Sequence, residues 1–237
     1  MLRVVNVTKV IHDNVIINSV SFEIKGNERV GIVGIHNSGK TVLMEILAGK
    51  MKPTYGEISL ADKRKIAYMP QVPRFIPTIR VKDVMSYITR RYDYLELVGL
   101  DGNKKVKDLS LDEKKRLSFA LSLPFSPTYL LVDDLSPISS STRHLIKNFK
   151  GGIILAHHNL KDIWDLIDRV IIISRGKIVF DGVKEELEYK IIRFKDEEIW
   201  EKEKENSVEK DLNQKGINYE VIRVTPDEVF LYFYAGV

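Results

Sequence analysis

Three short groups of residues have types and spacing suited to phosphate chemistry. Gly34-Ile35-His36-Asn37-Ser38-Gly39-Lys40-Thr41 fits the pattern G-x-x-x-x-G-K-[ST], and it follows an apolar run and opens a helical one, the context the pattern requires. Its glycines let the backbone approach a phosphate closely. Successive N–H groups and the positive end of the following helix then surround the anion, Lys40 offers a mobile cation to β- and γ-phosphate oxygens, and the Thr41 hydroxyl suits Mg²⁺. Asp133-Asp134 closes a second apolar run. A carboxylate there suits Mg²⁺, which takes one or two carboxylates and keeps its waters, so Asp133 is the expected metal ligand. Asp134 is then placed to orient an attacking water, although a helix cap or a solvated loop residue would look the same. His157-His158 closes a third run, and a histidine at a strand end is by itself as readily structural as catalytic.

The elements that must hold these groups are short and apolar. Arg29 to Val33 reads as a strand and Thr41 to Ala48 as a helix, with Val42, Leu43, Ile46 and Leu47 on its inner face. Thr128 to Val132 and Gly152 to Ala156 are near-continuous apolar strands, which predicts a parallel sheet covered on both faces. The first segment alternates through Leu2, Val4, Val7 and Val15 to Ile24, as short paired strands do. Val170 to Ile173 and Lys177 to Phe180 form a hairpin about Ser174-Arg175-Gly176. Val81 to Leu97 and Glu113 to Leu123 look helical within a mainly helical insertion, about residues 74–123. From Glu188 the composition shifts. Tyr189 to Phe194 reads as a strand, the charge-dense 196–215 as a solvated helix, and 219–224 and 229–234 as strands about a Thr-Pro-Asp-Glu turn. The chain therefore divides into residues 1–187 and a small β-α-β-β appendage, 188–237.

Composition narrows the function classes. The 237 residues carry a net charge of only +4, with 44% hydrophobic and 30% charged residues. That is the profile of a folded soluble protein, without the concentrated positive field of a dedicated nucleic-acid binder, so no nucleic-acid partner is expected. Zero cysteines remove disulfides, thiolate nucleophiles and Cys-ligated zinc, and fit a reducing cytosol. No apolar run approaches the roughly 20 residues that span a bilayer, so a membrane role requires a separate chain.

The order of motifs over residues 1 to about 187 resembles the nucleotide-binding subunit of ATP-binding cassette (ABC) transporters. Lys52-Pro53-Thr54-Tyr55-Gly56-Glu57-Ile58 is similar to the segment after the family's phosphate loop, and Ala67-Tyr68-Met69-Pro70-Gln71 to its Q-loop. Ile76 to Val84 looks like the opening of its helical subdomain, His158-Asn159-Leu160 like its switch-histidine motif, and Asp168 to Gly182 like its closing hairpin. The resemblance implies an α/β P-loop core with an antiparallel β subdomain and a shortened helical subdomain, to which the small C-terminal α+β appendage read from composition is added. It also implies ATP and Mg²⁺, bound by residues 34–41 and Val42, with Thr41, Asp133 and Gln71 at the metal and Lys40, Asp134 and His158 catalytic. His157 is the alternative switch residue. The implied partners are transmembrane subunits on separate chains and a second nucleotide-binding subunit, at the cytoplasmic face of the cell membrane.

The departures from the family bear on rate. Its adenine-stacking aromatic is Ile11 here, a loss of roughly 1–3 kcal/mol if nucleobase stacking is a guide. Its middle phosphate-loop glycine is Asn37, which tolerates the left-handed region. Its signature LSGGQ aligns with Leu109-Ser110-Leu111-Asp112-Glu113, where Ser110-x-x-Glu113 reads as a capping box that occupies the helix end from within. Asp112 is expected to bring a carboxylate near phosphate, and a like-charge contact at about 4 Å costs roughly 4 kcal/mol at an effective dielectric near 20. The catalytic Glu is the shorter Asp134, the segment Leu135 to Ser141 lacks the D-loop Asp, and the stretch from Gln71 to Leu109 is short for a helical subdomain. Weak or asymmetric hydrolysis in an unequal pair is the leading expectation. The alternatives are a non-catalytic ATP-responsive module and a soluble ABC protein acting on ribosomes or nucleic acid.

Overall fold

The computed structural model describes residues 1–60, 65–89, 91–134, 136, 139–194 and 197–235. Two strands, β1 (Leu2–Ile11) and β2 (Asn14–Ile24), pair antiparallel, and β4 (Tyr55–Leu60) joins the other edge of β1. The central sheet comprises β3 (Arg29–Val33), β5 (Ile66–Met69), β6 (Tyr129–Asp133), β7 (Gly152–His157), β8 (Arg169–Ser174) and β9 (Lys177–Val183). Their order is β5-β6-β7-β3-β8-β9, parallel throughout except for the β8–β9 hairpin. Both faces of this sheet are covered, which is why its strands are apolar without alternation. Along β6, Leu130 and Val132 join one core cluster, with Leu117 and Phe119, while Tyr129 and Leu131 join the other, with Leu43 and Leu47. The Tyr129 hydroxyl, fully buried, donates to the Ile24 carbonyl at 3.1 Å and so ties the central sheet to the antiparallel one.

Helix α1 (Lys40–Leu47) follows β3 directly, so its N-terminus lies at the carboxyl edge of the sheet. The insertion differs from the single helix expected over Val81–Leu97. It forms α2 (Val81–Ser86) and α3 (Asp93–Leu97), and past the end of α2 the Ile88 and Thr89 amides both donate to the Met85 carbonyl. Next, α4 (Leu111–Ser122) packs Leu117, Phe119 and Ala120 into the core, and α5 (Ser140–Lys147) follows β6.

The appendage also departs from the β-α-β-β order. The strand β10 (Tyr189–Phe194) pairs antiparallel with β11 (Glu197–Lys202) and β12 (Glu220–Arg223), with α6 (Ser207–Gln214) between these two and α7 (Pro226–Ala235) last. Charge density alone points to a helix there, but the described part, 197–202, is a strand in which the charge of Glu201 is used internally. Glu201, buried, accepts from Ser207 and Val208 and faces buried Lys190, whose ammonium donates to Glu209 and Asn206. Thr225-Pro226-Asp227-Glu228 starts a helix instead of turning a hairpin, for Thr225 and Glu228 bond reciprocally as a capping box with Pro226 in the first turn.

Candidate nucleotide site

The loop between β3 and α1 is built for a close backbone approach. Gly39 adopts φ +101°, and a Cβ there would fall 2.8 Å from the Ile16 carbonyl oxygen, so only glycine fits. Asn37 takes φ +64°, the left-handed pose expected of the residue that replaces glycine. Lys40 folds back over the loop, donating to the Gly34 and Ile35 carbonyls at 2.7 and 2.8 Å. Burial lowers its pKa, against the pull of Asp133 and Asp134.

A cavity of about 450 Å³ opens on this loop. It is lined by His36 to Val42, and by Gln71, Asp133, Asp134 and His158 from three other segments. Every expected site residue therefore faces one space except Gly34 and Ile35, which lie outside the lining and hold Lys40 through their carbonyls. Ile11 and Ile16 supply the apolar wall. An aliphatic side chain thus stands where the resemblance calls for an aromatic one.

The Thr41 hydroxyl and the Asp133 carboxylate lie 3.3 Å apart. Adjacent vertices of a Mg²⁺ octahedron with bonds of 2.0–2.1 Å are ~2.9 Å apart, so this oxygen pair fits that ion. Burial raises the pKa of Asp133, only partly offset by hydrogen bonds from Thr41 and Tyr68. The Tyr68 hydroxyl donates to the other Asp133 oxygen at 3.2 Å, and its pKa is raised by burial and by Asp133. Tyr68 was not singled out from sequence, yet alternation along β5 signals it: Ala67 and Met69 face the core below, which turns Tyr68 toward α1.

Asp134 sits in the left-handed region at φ +48°, an uncommon pose for a non-glycine residue. Its carboxylate accepts from the Ser136 amide at 2.8 Å and from Gln71 Nε2 at 3.0 Å, and stands 3.5 Å from His157 Nε2 and 3.7 Å from His158 Nδ1. Burial opposes its charge, but the Ser136 bonds and the two histidines hold its pKa below the usual value. Gln71 is thus engaged with Asp134 rather than with the Thr41–Asp133 pair. Beneath them the ammonium of buried Lys115, another residue not foreseen, donates to the Asp134 and Ser136 carbonyls at 2.8 and 3.1 Å. Of the D-loop segment, Leu135, Pro137 and Ile138 lie outside the described residues.

The two histidines separate clearly. His157 is buried, bonded to Ser136 Oγ at 2.9 Å and to the Asn159 backbone, and burial lowers its pKa. His158 lines the cavity, its ring stacked between those of His157 at 4.6 Å and His36 at 5.0 Å. Asp134, His157 and His158 bring three ligand atoms within 4.8 Å. The two imidazoles are within 21° of parallel, however, so both lone pairs cannot point at one ion, and the trio does not form a metal centre.

At the signature position the capping box forms: the Glu113 amide donates to Ser110 Oγ at 3.1 Å and the Ser110 amide to Glu113 Oε2 at 2.7 Å. Asp112 does not present an uncompensated charge, which corrects the expectation of phosphate repulsion. It accepts from Thr142 Oγ1 at 2.6 Å and pairs with Arg116 at 3.0 Å.

A parallel-sheet core with a glycine-rich loop opening its first helix defines a P-loop nucleotide-binding protein. The sequence pattern of the ABC transporter family matches residues 17–136, and the chain belongs to that family, as an ATP-binding subunit of the ABC ATPase type. It is 28% identical over 215 residues to the ABC transporter ATP-binding protein YxlF of Bacillus subtilis, which covers 79% of this chain and 72% of the relative. It is 32% identical over 220 residues to an ABC transporter ATP-binding protein of Archaeoglobus fulgidus, covering 78% and 89% respectively. Among solved structures, the dimeric post-hydrolysis cassette MJ0796 bound to ADP and Pi superposes with a TM-score of 0.68 at 21% identity, covering 77% of this chain and 98% of that one. An ATP-binding subunit of an ABC transporter superposes with a TM-score of 0.74 at 17% identity, covering 98% and 99%. These likenesses establish the fold. Among the described residues, no helix is long and apolar enough to cross a membrane.

Proposed function

We propose that this chain binds Mg·ATP on the 34–41 loop and, paired with a second nucleotide-binding subunit, couples nucleotide binding and slow hydrolysis to transmembrane subunits on separate chains at the cytoplasmic membrane face. The observation that carries this reading is the convergence of Lys40, Thr41, Asp133, Asp134, Gln71 and His158 on one cavity. In it, Lys40 and the loop amides bind the phosphates, while Thr41 and Asp133 hold Mg²⁺, with Gln71 in reach of the same space. The metal's contribution is to neutralise charge on the β- and γ-phosphate oxygens. Asp134 orients the attacking water and His158 faces the terminal phosphate. No nucleic-acid partner is proposed.

Slow hydrolysis follows from two features. Asp134 is one methylene shorter than the family's Glu and is drawn back onto Ser136 and Gln71, and a misplacement near 1 Å costs on the order of a hundredfold in rate. In the family the signature helix closes on the γ-phosphate of the opposite subunit, but here that helix end is occupied by its own Glu113. In a homodimer both defects meet in both sites. In a heterodimer each is offset by an intact partner, so an unequal pair is the arrangement proposed. The same two features support a second reading, a subunit whose nucleotide occupancy alone changes docking.

The test is equilibrium ATP binding, together with turnover per chain over a protein-concentration series, with Lys40→Ala as the reference. Lys40→Ala is expected to abolish phosphate-dependent binding, and unchanged affinity refutes the loop assignment. Brisk turnover by a purified homodimer refutes the unequal pair. ATP binding without turnover favours the second reading.

A further inference from the structure

The turn after His158 is held together by side chains that meet its backbone amides. The Asn159 amide donates to His157 Nδ1 at 3.0 Å, and the Asp162 amide to Asn159 Oδ1 at 3.1 Å. Between them the Leu160 and Lys161 amides both donate to Asp227 Oδ1, at 2.8 and 3.3 Å. Of these acceptors, Asp227 is the one that comes from beyond residue 187, on the first turn of α7. The contact is not a stray surface bond. Val229 and Phe230 of α7 are buried in the same core cluster as Leu160 and Ile163, and α7 packs against β8, β9 and the turn at 184–187. Asp227 itself is half-buried. Residues 161–166 form a tight helical turn with Leu160 at its N-cap, so the carboxylate also stands where a helix favours negative charge.

The line from Asp227 to the cavity is short and runs through hydrogen bonds, one peptide link and one ring stack. Asp227 fixes Leu160 and Lys161, the neighbouring Asn159 fixes His157, and His157 reaches Ser136 and stacks on His158. A displacement of residues 160–161 is thereby transmitted toward the His158 ring that faces the cavity. We propose that Asp227 is a positioning residue, through which the C-terminal unit sets the pose of the His158 turn. The proposal rests on the reading of this cavity as the ATP site. It assigns a role to the appendage, which carries no nucleotide-site residue of its own: placement of α7 determines whether the switch histidine is aligned for turnover.

The chain has two tryptophans, and this makes the pose observable without catalysis. Trp164 lies in the 161–166 turn itself, while Trp200 lies in β11. In a Trp200→Phe background, which keeps an aromatic ring against Tyr232 of α7, the emission and acrylamide quenching come from Trp164, and every Asp227 variant is compared with that background. Adding Asp227→Ala should raise the quenching and shift the emission to the red. Asp227→Asn, whose amide oxygen can accept the same two bonds, should restore both. In full-length protein with native tryptophans, Asp227→Ala is expected to lower kcat on the order of 10- to 100-fold with KM for ATP within about twofold, and Asp227→Asn to recover most of it. Should alanine prevent folding, Asp227→Ser, too short to reach residue 160, takes its place in both measurements. Unchanged Trp164 quenching overturns the proposal. So does a wild-type kcat in Asp227→Ala, or a loss that tracks Tm and is not rescued by asparagine. Failure of the wild type to bind ATP overturns the functional reading instead, and the Trp164 comparison still decides whether Asp227 sets the turn.

Discussion

Replacing Asp112 by alanine separates two accounts of the altered signature. If the carboxylate faced incoming phosphate, its removal would relieve repulsion and strengthen ATP-driven association. The structure places it in an internal network instead, against Thr142 at 2.6 Å and Arg116 at 3.0 Å. Thr142 is fully buried, so its hydroxyl loses its acceptor at a cost of about 1–3 kcal/mol. Arg116 keeps its bonds to the Val98 and Gly99 carbonyls and loses roughly 0–1 kcal/mol with the ion pair. An acid in the first turn of α4 adds about 0.3–1 kcal/mol through the helix end. The expected loss is therefore about 1–5 kcal/mol, which in a chain of this size lowers Tm on the order of 10 °C. The pH dependence has a definite sign. Burial opposes the Asp112 charge, but Thr142, Ser139 and Arg116 together hold its pKa below the ordinary 3.8. Its charge-linked contribution is thus fully present above pH 3.8 and fades as pH falls through the folded value, so the gap between variant and wild type narrows in acid. Thermal unfolding over pH, with sedimentation in the presence and absence of ATP, measures both effects. An unchanged Tm together with stronger ATP-dependent association refutes the internal network.

Two further substitutions address the nucleotide. Asp134→Glu returns the missing methylene and is expected to raise turnover on the order of 10-fold or more; a flat response in a steady-state ATPase assay places the limit at the signature or in a missing partner. Ile11→Tyr offers an aromatic face to the cavity wall, and calorimetry should find ATP bound about 1–3 kcal/mol more tightly. Equal affinity would mean that adenine does not lie against this strand.

Much of the candidate site's placement was legible in sequence, because each piece couples a chain-local pattern to one chemical need. Strand, glycine loop, lysine and threonine are contiguous, and the runs ending in Asp133 and His157 read as buried parallel strands through their lack of alternation. Legibility ended where meaning depended on a distant partner. Nothing near Asp112 announces Thr142, thirty positions away across the α4–α5 contact. Nor does the charge of Glu201 and Lys190 signal that the two face each other inside a sheet. The start of α7 is a different failure. Thr225-Pro226-Asp227-Glu228 combines a capping box with proline in the first turn, a helix signal that was present in the sequence and was outweighed by the apolar, aromatic run after it.

The departures share one physical pattern. Where the family leaves polar groups for nucleotide or partner, this chain satisfies several of them itself: Glu113 caps the Ser110 amide, and Asp134 turns into the left-handed region to take the Ser136 amide and Gln71. The phosphate loop is not treated so. Gly39 keeps the backbone open, and Lys40 rests on the loop's own Gly34 and Ile35 carbonyls and Ser38 hydroxyl, contacts that a phosphate can replace. On the proposed reading, binding and catalysis are thus separable in this fold: binding would use the loop and the Thr41–Asp133 pair, whereas catalysis would use Asp134, which is here held by its own neighbours. Reversing a single internal bond then releases one group, not the whole site, so the gain from Asp134→Glu should grow when a partner with an intact signature is present.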